Sequence, residues 1–250
     1  MKKYLATVAY NGSRFYGFER QPHLRTIQGC LEKSLSRILG TKTLIKGAGR
    51  TDRGVHALGQ RFSFEAKDIS DLSHFVFSLN RLLPNDIVIK DLIAVADSFD
   101  ARHSSKGKVY LYQFSWGLRD PRLKDLLTQL ERPTFDSKKF VEALSYFKGK
   151  HDFSNFTTKP TDVDDFVRTI SIIEPDIAEN EQMGAVVFRA NGFMTYMVRL
   201  IVGTCFKAAL GKIDPQDIPA LLEKKPRHIV SYKAPPEGLF LVEVIYEKKD

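Results

Sequence analysis

The chain has 250 residues, 43% of them hydrophobic and 27% charged, proportions of a core-forming globular protein that exclude disordered, collagen-like and membrane-spanning classes. That length holds one large or two medium domains, either able to bury enough apolar surface to fold without disulfides. Lys and Arg outnumber Asp and Glu by 38 to 30, a formal charge of +8; an excess of this size nominates RNA as partner, although charge also serves solubility alone.

Lys3 to Tyr10 places Tyr4, Ala6, Val8 and Tyr10 on one face, a strand pattern that stops at the turn pair Asn11-Gly12. After Thr26, the residues Ile27, Leu31, Leu35 and Ile38 recur at helical spacing and Gly40 supplies the stop. A strand is expected over Lys42 to Lys46, then an irregular glycine-rich run from Gly47 to Gly59, then a strand over Gln60 to Phe64. A helix from about Ser73 to Leu83, closed by Pro84, and a strand from Ile87 to Val95 complete the first half.

The second half reads as strand Lys108 to Phe114, helix Ser137 to Lys148, strands Arg168 to Glu174 and Ala185 to Ala190, and helices from about Met194 to Leu210 and from Asp217 to Lys224. A last strand runs from Phe240 to Tyr246. Interspersed helices and strands give an α/β (α+β) class. The polar stretch Ser104 to Gly107 is the expected seam, dividing the chain into domains 1–106 and 107–250. Cys30 and Cys205 stand in apolar stretches without a C-x-x-C, as buried thiols of a reducing cytosol would. Met1-Lys2-Lys3-Tyr4 lacks the apolar core of a signal peptide, and the apolar stretch from Met197 to Leu210 is interrupted by Arg199 and Lys207, so a cytoplasmic location without a membrane span is expected.

The run Gly47-Ala48-Gly49-Arg50-Thr51-Asp52-Arg53-Gly54-Val55-His56-Ala57-Leu58-Gly59 fails as a phosphate loop, because the third position of the glycine pattern is Asp52 and no Gly-Lys-Ser/Thr follows. It offers instead a carboxylate between two arginines. Such neighbours favour the ionised form, so Asp52 qualifies as a nucleophile or general base. Asp and Gly are also ordinary residues of a surface turn, which is the plainer reading of Thr51 to Gly54.

Gly49-Arg50-Thr51-Asp52-Arg53-Gly54-Val55-His56-Ala57 closely resembles the signature loop of the tRNA pseudouridine synthase A family. The resemblance is collinear along the chain. It continues in Phe15-Tyr16-Gly17-Phe18-Glu19-Arg20-Gln21-Pro22 with Thr26-Ile27-Gln28, in Phe99-Asp100-Ala101-Arg102 and in Lys108-Val109-Tyr110-Leu111-Tyr112. Later blocks are His151-Asp152-Phe153-Ser154, Gly192-Phe193-Met194 with Met197-Val198-Arg199, and Ala234-Pro235-Pro236-Glu237-Gly238-Leu239-Phe240-Leu241. The resemblance implies isomerisation of uridine to pseudouridine in the anticodon stem-loop, at tRNA positions 38 to 40. It also implies two mixed-sheet α/β halves meeting at a basic cleft in the pseudouridine synthase fold, and a homodimer.

By the same resemblance Asp52 is the catalytic aspartate, Arg50 the arginine that helps displace the target base, Tyr110 the tyrosine that packs on the flipped uracil, and Arg199 the arginine that pairs with the aspartate. The chemistry suits these residue types. A uridine in a stem must be extruded at a cost of a few kcal/mol, and an aromatic face returns roughly 1–3 kcal/mol by stacking. Tyr110 also fits as a plain strand core residue, and Tyr112 shares its face by the period of two. Arg199 stands in an apolar helical stripe, where a cation needs a partner or must snorkel to the surface.

The reaction has no net oxidation, hydrolysis or energy input, so no cofactor is expected. Asp52 would act covalently or by removing a sugar proton, and the sequence leaves both open. The six histidines show no metal-ligand spacing. His56 reads as a structural hydrogen-bonding residue, and His151-Asp152 as a helix-to-loop junction. Two stretches depart from the family pattern: Thr157 to Asp165 is acidic where phosphate repulsion is expected, and Arg119 to Pro133 is short. The alternatives are the same chemistry on a different stem uridine and a non-catalytic binder of structured RNA.

Overall fold

The computed structural model describes residues 1–132, 134–158, 165–223 and 229–247. The acidic stretch at 159–164 lies outside the described residues. The fold is mixed α/β, and the chain divides into two compact units, one of Met1–Lys106 joined by the stretch from Phe240, the other of Gly107–Leu239. The closing strand therefore belongs with the first unit, where the sequence reading gives it to the second. No helix among the described residues is long and apolar enough to cross a membrane.

The first unit runs β1 (Lys2–Tyr10), α1 (Ile27–Leu39), β2 (Lys46–Gly47), β3 (His56–Ala66), α2 (Leu72–Leu82) and β4 (Ile87–Val95). β1 lies antiparallel between β3 and β4, with Tyr4 opposite Phe64 on one side and Ala94 on the other. Helix α1 starts where the Thr26 side chain accepts the Gly29 N–H and ends at Gly40, whose φ of 66° is the left-handed conformation that glycine adopts at least cost. Its apolar face, Ile27, Leu31 and Leu35, is buried.

The expected strand at Lys42 to Lys46 shrinks to Lys46–Gly47. Side chains of α1 take the N–H groups that a partner strand would have bonded: Thr43 donates to Ser36 Oγ at 2.9 Å and Ile45 to Glu32 Oε1 at 3.2 Å. The β3 strand is longer than expected, beginning at His56, because a strand from the far end of the chain pairs there. That strand is β10 (Leu239–Ile245), which runs parallel to β3 with Phe240 opposite His56 and Leu241 opposite Ala57. Gly59 admits this approach, since a Cβ there would collide with the Val242 carbonyl oxygen.

The second unit contains β5 (Gly107–Ser115), β6 (Thr128–Gln129), α3 (Ser137–Ser145), β7 (Gly149–Asp152), β8 (Val167–Ala178), β9 (Met183–Ala190), α4 (Met197–Ala209) and α5 (Ile218–Glu223). β9 pairs antiparallel with β5 and β8, and β7 extends the sheet beyond β8. The core is aromatic: Phe114 on β5 lies with its ring centroid 5.0 Å from those of Phe140 on α3 and Phe206 on α4. His151 and Asp152 form part of β7 rather than a helix-to-loop junction, because helix α3 already ends at Ser145. Helix α4 starts at Met197 instead of Met194, since Tyr196 holds a left-handed φ of 63° that no helix can continue through. Cys205 is buried, Cys30 half-buried, and both are free thiols.

Candidate functional site

In the first unit the signature loop spans the gap from β2 to β3, and its conformation is fixed from outside. Thr51 is buried, with its hydroxyl 2.8 Å from that of Tyr10 and its carbonyl accepting the Phe18 N–H at 3.1 Å. Burial pushes the Tyr10 phenol far above its usual range, against hydrogen bonds from Thr51 and Gln60, so Tyr10 stays neutral. The Asp52 carbonyl accepts the Val55 N–H at 3.2 Å, closing a turn whose third member, Gly54, has φ 81°. Gly54 also donates to the Phe15 carbonyl at 3.4 Å, and the Gln60 amide donates to the Gly49 carbonyl at 3.1 Å.

Two glycines outside the loop let this happen. A Cβ on Gly12 would run into the Val55 carbonyl, and one on Gly17, at φ 99°, would lie 2.9 Å from the Thr51 carbonyl oxygen. His56 is 1% exposed and its Nδ1 accepts the Gly12 N–H at 3.1 Å. An accepting Nδ1 requires the neutral ring with its proton on Nε2. The ring stacks on Phe240 at 4.6 Å, so the last strand of the fold buttresses the loop that carries Asp52.

Asp52 itself is half-buried and its neighbours Arg50 and Arg53 are exposed. Each arginine has a partner that spacing along the chain could not disclose. Arg50 makes an ion pair with Glu19 at 2.6 Å, and the Arg53 guanidinium lies 4.4 Å over the Tyr16 ring. Both partners come from the Phe15 to Pro22 segment, so this segment packs alongside the loop and orients its cations.

In the second unit Tyr110 projects from β5, opposite Phe188 of β9, with its ring edge-on to Phe193 at 5.1 Å and 8% of its surface exposed. Tyr112, on the same face, is the more deeply placed of the two tyrosines. Tyr112 is fully buried, its hydroxyl 2.7 Å from Thr128 Oγ1 and donating to the Pro235 carbonyl at 2.9 Å, and burial pushes its phenol far up. Tyr112 is thus a core residue.

Arg199 does not snorkel. It is 7% exposed within α4, and its Nε donates to the Ala234 carbonyl at 2.7 Å while the Ala234 N–H donates to the Arg199 carbonyl at 2.8 Å. This reciprocal pair straps residues 229–235 along the helix and satisfies one face of the guanidinium. The guanidinium carbon also lies 5.3 Å from the centroid of the Tyr196 ring. Nearby, burial pushes the Glu237 carboxyl above its ordinary range, and the Arg199 charge opposes that shift. Asp52 and Arg50 thus belong to the first unit, Tyr110 and Arg199 to the second.

The sequence profile of the tRNA pseudouridine synthase family matches residues 6–104 and 143–247. The tRNA pseudouridine synthase A of Caldicellulosiruptor saccharolyticus is 35% identical over 98% of this chain and 100% of its own. That of Streptococcus pneumoniae strain 70585 is 36% identical over 99% of this chain and 100% of its own. A solved Cbf5-Nop10-Gar1 complex aligns with 81% of this chain and 54% of that chain at TM-score 0.35 and 10% identity.

Proposed function

The chain belongs to the tRNA pseudouridine synthase family, and on that premise we propose that it isomerises uridines of the tRNA anticodon stem-loop, with the Asp52 carboxylate acting on the extruded nucleotide. The isomerisation breaks the bond from N1 to the ribose C1′ and forms one from C5 to C1′. The C5 hydrogen leaves as a proton and N1 gains one, so the step balances without oxidant, water or cofactor. Asp52 supplies the electron pair, as nucleophile or base. Tyr110 stacks on the uracil, Arg50 fills the place the base leaves, and Arg199 serves the bound uridine.

The observation that carries this reading is the clamped loop. A surface turn has no need of the buried Tyr10–Thr51 pair or of the His56 contact to Gly12, whereas a reacting carboxylate must be held to a fraction of an ångström. Cytosolic tRNA is the substrate, and a homodimer is the working form.

The test is tritium release from tRNA labelled at uracil C5, with pseudouridine mapped in the product. The parent protein releases tritium and marks anticodon-arm positions. Asp52→Asn keeps shape and loses the ionised oxygen pair, so it abolishes release while tRNA binding stays within about threefold. Release retained by Asp52→Asn removes Asp52 from the chemistry, and a mark elsewhere in the tRNA replaces the anticodon arm as target.

A further inference from the structure

Helix α4 and the strap at 229–235 enclose a second feature of the second unit, a hollow of about 490 Å³. Its floor is apolar, from Leu130, Phe206 and Leu210, and its cations are Arg132, Lys207 and Lys233. No carboxylate is among the described residues that line it. Gly203 sets the closeness of the strap, since a Cβ there would collide with the Tyr232 carbonyl oxygen.

The cations are interleaved with rings. The guanidinium of Arg199 and the ammonium of Lys233 lie over the same Tyr196 ring, at 5.3 and 4.2 Å from its centroid. The next residue back along the strap is Tyr232, whose ring carries the Lys207 ammonium at 5.2 Å. Positive charge and aromatic surface therefore alternate from Arg199 to the hollow, and Lys207 stands about 12 Å along the helix from Arg199. A single small anion would call for cations converging on one point. Cations strung along a track beside flat apolar surface match a charged polymer with planar side groups.

We propose that the hollow is a subsite for the tRNA strand beyond the target uridine, with Lys207, Lys233 and Arg132 on its phosphodiesters and one base laid on the floor of Leu130, Phe206 and Leu210. The inference rests on the reading that Arg199 serves the target uridine, and it adds a second grip on the same strand. Its cations act in binding, so they govern how tightly tRNA is held and how that tightness falls with salt.

The experiment compares the parent chain with Lys207→Gln/Lys233→Gln and with the exposed charge reversal Lys233→Glu. Readouts are tritium release, filter binding of whole tRNA from 50 to 300 mM salt, thermal melting and light scattering. The expected result for the double variant is a KM raised about tenfold, kcat within twofold, an unchanged melting temperature, and a slope of log affinity on log salt shallower by about 1.4, two single-strand phosphate contacts at about 0.7 each. Lys207→Arg/Lys233→Arg restores affinity. An unchanged KM and slope overturn the proposal, as does a fall in kcat at unchanged KM. A shift to monomer in the double variant reassigns the hollow to contact between copies and overturns it too. If the double variant melts early, Lys233→Glu alone decides by the same slope. Should the parent release no tritium, the binding slopes still judge the subsite while the catalytic reading falls.

Discussion

The Tyr10 hydroxyl lies 2.8 Å from the Thr51 hydroxyl in a buried pair that ties the last residue of β1 to the residue before Asp52. Since β1 is hydrogen-bonded along both edges, it is a rigid post, and the pair transmits that rigidity to the loop. Tyr10→Phe leaves the Thr51 hydroxyl without this partner. We expect a stability loss of about 1–3 kcal/mol and a roughly tenfold drop in kcat with KM for tRNA within twofold. Thr51→Ser, which keeps the hydroxyl, retains most of the turnover. Tritium-release kinetics and urea unfolding check both, and a Tyr10→Phe enzyme with full kcat would reduce the pair to a structural contact.

Gly203 and Gly40 are both glycines of or beside helices, with opposite expectations. At Gly203 an added Cβ meets backbone of the strap, while at Gly40 it meets nothing within 4 Å. Gly203→Ala pushes the strap off α4, breaks the bond from Arg199 Nε to the Ala234 carbonyl, costs about 1–3 kcal/mol and lowers turnover severalfold. Gly40→Ala pays only for its left-handed φ of 66°, about 1 kcal/mol, with turnover unchanged. Denaturant midpoints and single-turnover rates separate the two.

Tyr110 and Tyr112 part in the same way. Tyr112→Phe abandons a buried Thr128 hydroxyl and the Pro235 carbonyl, so it destabilises by about 1–3 kcal/mol and leaves kcat of the folded enzyme intact. On the proposed role, Tyr110→Ala removes the face that receives the uracil and is expected to cut turnover at least a hundredfold. Melting curves alongside tritium release show the exchange of effects; equal losses in both would refute the assignment.

Glu237 gives a pH dependence with a definite sign. Burial raises its carboxyl above the ordinary value, so its ionisation costs more in the folded than in the unfolded chain. The associated stability is complete below the unfolded value of about 4.3 and declines as pH climbs through the raised folded value. Glu237→Gln therefore melts about 1–2 °C higher than the parent at pH 7 and together with it at pH 4. A half-exposed group allows no larger difference.

Much of this was legible because it is local. Ile27, Leu31 and Leu35 announce α1 by their spacing, and the glycines flanking Arg50 and Asp52 announce an irregular loop. What spacing hid is set by distant partners. Lys42 to Ile45 looks like a strand until Ser36 and Glu32 take its N–H groups. Arg199 could equally reach solvent until the Ala234 carbonyl, 35 residues on, supplies an acceptor. Glu19 and Tyr16 gave no sign that they hold Arg50 and Arg53. The assignment of β10 to the first unit depends on a parallel pairing between His56 and Phe240, which no hydrophobic period encodes.

That pairing orders events during synthesis. Strands β1, β3 and β4 can associate once about a hundred residues have emerged, yet the surface against which His56 stacks is the side chain of Phe240. A nascent chain therefore holds the Asp52 loop without its Phe240 support until β10 has been made. Removing the last strand by truncation would accordingly silence the enzyme by loosening a loop encoded nearly two hundred codons upstream.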